Sequence, residues 1–225
     1  MAVAILASLG SMLAAACSAA AAPLQLVYRV SHPVVGELGS YTCTVQQLGN
    51  GGSEVRSREH IDARMFGVAV YRMDATGTER WQGSRLMTFD GVTEVANGRI
   101  EIKGEAQGNH FVFTSPQGTF TTAANVHPAG PCAPDFIKST TILRPDTGAL
   151  EQVRVSGGAP GTTVIGGTPI ATRKYVLDGK TRYTVWLDSR NVPVMFVIGD
   201  STGQATFTLA KCVSCDLALP QLGMN

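Results

Sequence analysis

The chain has 225 residues, 44% of them hydrophobic and 16% charged, with a formal net charge of +1. Acids and bases are interspersed without a basic block, which leaves no electrostatic footprint for nucleic acid or for a charged membrane surface. Length and hydrophobic content suit one large β domain, since sandwiches and barrels of about 200–250 residues stay undivided.

No Asp, Glu, Lys, Arg or His precedes Arg29, and Ala2 to Ala16 is a run of small and apolar residues. That run is shorter than the ~20 residues a membrane-spanning helix needs, and it reads as the core of a secretory signal peptide. Ala19 and Ala21 satisfy the small-x-small cleavage rule, so residues 1–21 are expected to be removed before Ala22. The basic start of such a peptide is missing, which an initiator methionine assigned too far downstream explains. Leu13 to Cys17 is a degenerate version of the site where bacterial lipoproteins are cut and acylated, making Cys17 a candidate lipidation site. The expected location is the periplasm, as a free protein or, in the alternative, lipid-anchored. No later stretch is apolar for long enough to span a bilayer as a helix.

From residue 24 onward apolar residues recur with period two. Leu24, Leu26, Tyr28 and Val30 alternate with Gln25, Val27 and Arg29; Tyr41, Cys43 and Val45 alternate with Thr42, Thr44 and Gln46. Such alternation sends one set of side chains to a core and the other to water. Residues 54–64 put Arg56, Arg58, His60, Asp62 and Arg64 on one solvated face, and Ile100 and Ile102 sit between Arg99, Glu101 and Lys103. Turn chemistry is expected at residues 49–52, at Asp74-Ala75-Thr76-Gly77, at Asn97-Gly98, at Asp178-Gly179, and at residues 188–191 and 200–203. Strands are expected near residues 170–177, 181–187, 192–198 and 204–209. The fold class is therefore all-β and mostly antiparallel, a curled sheet or half-open barrel with one short helix. That helix is expected over residues 134–139, with Asp135 capping its first turn. Residues 192–198 are apolar on both faces, which predicts that something covers both sides of that strand. Residues 22–225 form one domain, ending in a cysteine-containing tail from about residue 211.

Four cysteines remain after cleavage: Cys43, Cys132, Cys212 and Cys215. An even number in an oxidising compartment predicts two disulfides, with three pairings open. A bridge from the tail to the body would stabilise the fold by restricting the unfolded chain, typically by about 2–4 kcal/mol. The C-x-x-C at Cys212 and Cys215 follows a strand, whereas redox versions open a helix. A structural zinc site needs a second pair of ligands at close spacing. Neither context is present.

Gly199-Asp200-Ser201-Thr202-Gly203 matches G-x-S-x-G, and His60 and Asp90 precede it in trypsin-like order. A nucleophile elbow requires strand, turn and helix, whereas this segment lies between two strands, so it reads as a hairpin turn. No catalytic residue is assigned; a serine hydrolase using Ser201 is the least favoured reading. The histidines His32, His60, His110 and His127 do not cluster, and arginines share the face of His60 and Asp62, so no metal and no cofactor is assigned. Trp81, Phe89, Trp186 and Phe196 are the candidate lining of an apolar ligand site, or otherwise ordinary core aromatics.

Two segments resemble a bacterial family of exported proteins of unknown function. Val70-Tyr71-Arg72 followed by residues 79–86, ERWQGSRL, is similar to that family's E-x-W-x-x-G-x-L strand, with Ser84 in place of the usual glycine and Gly83 one position earlier. Tyr175-x-Leu177-x-Gly179, Val185-Trp186-Leu187-Asp188 and the hairpin over residues 192–209 match its C-terminal meander, with Leu187 where tyrosine is usual. The D-T-G-x-L turn at residues 146–150 agrees as well, and Phe136 stands where a tryptophan is often found. The resemblance covers residues 24–210. It implies an antiparallel sheet curled around a short helix or cavity, similar in outline to periplasmic lipoprotein carriers and lipocalin-like proteins, and it assigns no activity. The expected partner is an apolar small molecule or lipid. The alternative is a structural or protein-interaction domain with a filled core.

Overall fold

The computed structural model describes residues 22–199 and 203–215. The alternation resolves into strands β1 (Leu24–His32), β2 (Gly36–Gln47), β3 (Gly52–Met65), β4 (Val68–Gln82), β5 (Arg85–Val95), β6 (Gly98–Gln107), β7 (His110–Ser115) and β8 (Gly118–Ala123). A second run contains β12 (Arg154–Ile165), β13 (Thr168–Asp178), β14 (Arg182–Leu187), β15 (Pro193–Gly199) and β16 (Gln204–Val213). Both runs are antiparallel meanders, and β16 pairs with β1 to join them into one 13-stranded sheet with β12 and β8 at its edges. Between the meanders lie three short strands, β9 (Val126–Pro128), β10 (Thr141–Leu143) and β11 (Leu150–Gln152), which form a separate small sheet.

This inserted segment sits inside the curve of the large sheet. Every residue of β9 and β10 is buried, which requires cover on both faces. Its contacts reach strands far apart in the sheet order. The His127 ring lies 5.1 Å from Trp81 of β4, and Thr93 of β5 donates to the Pro145 carbonyl at 3.2 Å. Phe136 meets Tyr183 of β14 and Phe196 of β15 edge-on, and Arg144 donates to Thr181 at 2.9 Å. One short segment touches both β5 and β14 only if the sheet curls around it. The edge strands β8 and β12 do not pair with each other, so the curl stays open.

Most expected turns fall at strand ends; one does not. Asp74 to Gly77 lies in the middle of β4, where Gly77 pairs with Ser57 on one side and Gly91 on the other. The missing side chain is used for packing: a Cβ at Gly91 would lie 2.7 Å from the Phe89 ring, and one at Gly77 2.8 Å from the Ser57 hydroxyl. The chain reverses instead at Phe66-Gly67, where Met65 pairs with Val68. Both residues have positive φ, 50° and 82°, as a primed two-residue hairpin turn requires. The expected helix is a single 3-10 turn over Phe136–Lys138. Asp135 precedes it in a left-handed conformation without a side-chain cap, and its carboxylate pairs with Lys138 at 3.0 Å instead. Along β15, Val194 and Phe196 are wholly buried while Met195 and Val197 are only partly so; cover is complete on the inner face alone.

Cys43 of β2 is bonded to Cys132, closing a separation of 89 residues and tying the inserted segment to the sheet. Cys212 is bonded to Cys215, so this bridge closes a small ring at the end of β16 and does not join the tail to the body. Loop-closure entropy makes the two unequal, since the long loop restricts the unfolded chain far more. Replacing Cys43 and Cys132 together by serine is expected to lower unfolding stability by about 2–5 kcal/mol in urea titrations. The same change at Cys212 and Cys215 should cost much less.

Candidate functional site

At the end of the curl that carries the β1–β2 and β3–β4 turns, the inserted segment does not fill the interior. A cavity of about 320 Å³ remains there. Leu38, Ile61, Met73 and Phe207 give it apolar walls, and Ile198 with Ala205 closes the side toward β15 and β16. Arg144, Pro145 and Asp146 form its inner end. A wider groove of about 750 Å³ on the outside is lined by Asp178, Lys180, Arg182 and other polar groups. The smaller cavity has the concave apolar walls of a ligand site.

Of the two carboxylates that line this space, Asp146 is paired with Arg144 and, among the described residues, Glu59 is not paired. The alternation of β3 that sends Arg58 and His60 to solvent sends Glu59 inward with Val55 and Ile61. It lies between Tyr41 of β2 and Ala75 of β4 in the ladder. No hydrogen bond or ion pair to Glu59 occurs among the described residues. Burial, and then the nearby negative charge of Asp146, hold its carboxyl up to about 7. Asp146 itself is engaged by Arg144, whose Nε donates to it at 2.8 Å, and Arg144 also reaches Glu151 at 3.4 Å. Tyr71 stands at the mouth and donates to the Met73 sulfur at 3.4 Å. Burial raises its phenol, with smaller contributions from Asp146 and Glu59.

A second carboxyl lies deeper. Glu79 of β4 is buried and accepts the Trp81 indole N–H at 2.9 Å. Burial pushes it up to about 8, against the lowering effect of that hydrogen bond. Tyr41 is buried nearby and its phenol is raised, first by burial and then by Glu79 and Glu59.

None of the four aromatics singled out in the sequence lines the cavity. Trp81, Phe89 and Phe196 are core: Trp81 is held by Glu79 and His127, and Phe196 is packed among Phe136, Tyr183 and Phe207. Trp186 is partly buried on the opposite face of β14 from Tyr183 and Val185, with the Lys174 ammonium 5.2 Å from its ring centre. His60 binds Asp74 at 2.7 Å on the outer face, and Asp62 is taken by Arg64 and Arg72. No group of three or more His, Cys, Asp or Glu side chains arranged to hold a metal occurs among the described residues. Ser201 and Cys17 lie outside the described residues. The signal for Glu59 and Glu79 was present in the strand pattern: each shares the parity of apolar neighbours that alternation sends inward.

Residues 36–209 match the model of DUF6134, a domain of unknown function. The chain belongs to this family. The DUF6134 chain is similar in structure to a β-barrel-like protein of the DUF1849 domain of unknown function from Brucella abortus, with a TM-score of 0.65. The two are 11% identical, and the match covers 87% of this chain and 98% of the other, a likeness of fold alone. A DUF1089 family protein from Pseudomonas aeruginosa, 12% identical over 92% of this chain and 97% of its own, gives a TM-score of only 0.30. No curated protein sequence matches this DUF6134 chain. Among the described residues no helix is long and apolar enough to cross a membrane.

The raised carboxyls fix a direction for the pH dependence. The folded chain retains protons on Glu59 and Glu79 that the unfolded chain releases near its ordinary value of 4.5. Their contribution to stability is therefore greatest at low pH and is lost as pH rises toward about 8. Glu79→Gln keeps an acceptor for the Trp81 indole and removes the titration. Urea unfolding at acidic and mildly alkaline pH is expected to show the variant's loss between the two conditions reduced by about 1–4 kcal/mol relative to wild type.

Proposed function

We propose that this DUF6134 protein is an exported envelope module that binds an apolar ligand, such as a lipid chain, without catalysing a reaction. The observation that carries this reading is the cavity of about 320 Å³ with apolar walls and one unpartnered carboxyl, Glu59. Its size falls at the lower end of the ~300–1,000 Å³ of small-molecule sites, which suits a single chain or compact apolar molecule. Glu59 supplies a polar contact that orients a bound molecule, donating or accepting according to its protonation. Export accords with the apolar N-terminal run and with the Cys43–Cys132 disulfide, which persists in oxidising compartments. The periplasm is the compartment we assign, with Cys17 as the point of attachment if the chain is acylated.

A second reading, a structural or protein-interaction domain, draws on the filled interior around Trp81, Phe89 and Phe196, all nearly inaccessible. Native mass spectrometry of protein purified from the periplasm separates the two. An apolar molecule is expected to co-purify with wild type and to be absent from Ala205→Phe, whose ring would occupy the cavity. A fluorescent fatty acid should bind the wild type saturably and the variant at least about tenfold more weakly, the equivalent of one buried apolar side chain. Wild type that carries nothing and shows no saturable binding would establish the structural reading.

A further inference from the structure

The ladders of β3 and β4 do not end together with those of their neighbours. Pairing of β2 with β3 stops at Gly39 and Ile61, and pairing of β4 with β5 stops at Met73 and Val95. The β3–β4 ladder continues through Asp62–Arg72, Ala63–Tyr71 and Arg64–Ala69 to Met65–Val68. Residues 62–72 are therefore a two-stranded ribbon projecting past the rest of the sheet. Such a ribbon is marginally stable alone in water, and its composition is the reverse of what exposure calls for. Phe66 at the tip is 99% exposed, Val68 66% and Val70 57%, with Met65 and Tyr71 nearly half exposed. Val34, in the β1–β2 turn at the same end, is 80% exposed. Protruding apolar clusters of this kind mark interaction sites.

From this juxtaposition we infer that the β3–β4 hairpin is a membrane-docking device, inserting Phe66 and its apolar neighbours into the surface of a phospholipid bilayer. Charge placement selects the bilayer over other partners. Within the ribbon the charged side chains gather on the Asp62 carboxylate at its base, which draws in Arg72 from the same ladder pair at 3.4 Å and Arg64 from the pair next to the tip at 2.9 Å. Two guanidinium groups against one carboxylate leave a positive collar at the depth of the phosphates when the tip lies ~5–10 Å into the interface. The long arginine side chains reach headgroups while their stems pass along apolar surface. A second copy of this chain, or a globular partner, fits less well. A tip of this size offers a few side chains where a stable protein interface uses about 20–30 residues a side. The ribbon also continues into the cavity wall, since Ala63 and Tyr71 line both. Insertion would hold the cavity mouth at the lipid boundary, although docking stands on the hairpin alone and does not require the cavity to be occupied.

The test compares full-length wild type with two variants, Phe66→Trp and Phe66→Asp/Val68→Asp, so that any contribution of the N-terminal segment is common to all three. Vesicles of equal parts phosphatidylcholine and phosphatidylglycerol with brominated acyl chains serve as the probe, without added ligand. The emission added by Phe66→Trp is expected to be quenched beyond that of wild type, whose tryptophans are Trp81, buried in the core, and Trp186, partly buried on β14 away from the hairpin. Phe66→Asp/Val68→Asp should lower vesicle partitioning by about tenfold or more while leaving the circular-dichroism spectrum unchanged. If the double variant misfolds, quenching in Phe66→Trp decides alone. Unquenched emission, or equal partitioning of folded wild type and double variant, would overturn the inference. So would a dimer that the double variant abolishes with no change at vesicles. Fatty-acid binding measured without vesicles tests the cavity separately.

Discussion

A sheet of thirteen alternating strands presents one long apolar face, and that face must be covered by something other than water. Here the cover comes from the same chain. The segment from β9 to β11 packs into the curl, and β9 and β10 are buried on both sides. Burial of apolar surface is the dominant favourable contribution to folding, so the curvature of the sheet and the position of this insert are one constraint. The Cys43–Cys132 bridge, with Trp81 against His127 and Phe136 against Tyr183 and Phe196, fixes the insert in place.

The insert is shorter than the sheet is long. Where it ends, at the turn through Pro145 and Asp146, the inner face of β3, β4, β15 and β16 is left facing an apolar cavity. The same alternation that buries Ile61 and Met73 places Glu59 on that face without a partner. A carboxyl in such surroundings is held toward its neutral form. Glu79 shows the contrasting outcome: it is buried deeper and satisfied in part by the Trp81 indole. Beyond the cavity the β3–β4 hairpin runs on past its neighbours, so the apolar cavity and the exposed Val34, Phe66 and Val68 lie at one end.

Much of the architecture was legible in the residues because strand alternation is local. The outward row of Arg56, Arg58, His60 and Arg64 lies as the period of two requires, and the C-terminal meander follows its turn residues. Asp74 to Gly77 misled because turn chemistry and packing chemistry use the same residue. Glycine serves a turn through its backbone freedom, and Gly77 serves a strand by leaving room for the Ser57 hydroxyl. Phe66-Gly67 gave a weaker signal, since phenylalanine is an uncommon occupant of a left-handed position. The aromatics Trp81, Phe89 and Phe196 lie buried in the core, and alternation does not foretell this, because a large apolar ring on an inward position is equally suited to a core and to a ligand wall.

By itself the sequence determined the all-β class, the antiparallel order of most strands, the cysteines available for bridging and which side chains face inward. Each of these follows from neighbours along the chain or from composition. Tertiary structure alone decided which cysteines meet, where the inner layer stops, and that Glu59 faces open apolar space while Glu79 meets an indole. Those outcomes depend on how far a curled sheet brings β5 toward β14 and on the volume of a segment between them. Period two carries no information about either, because a strand records the direction of each side chain and not what stands opposite it.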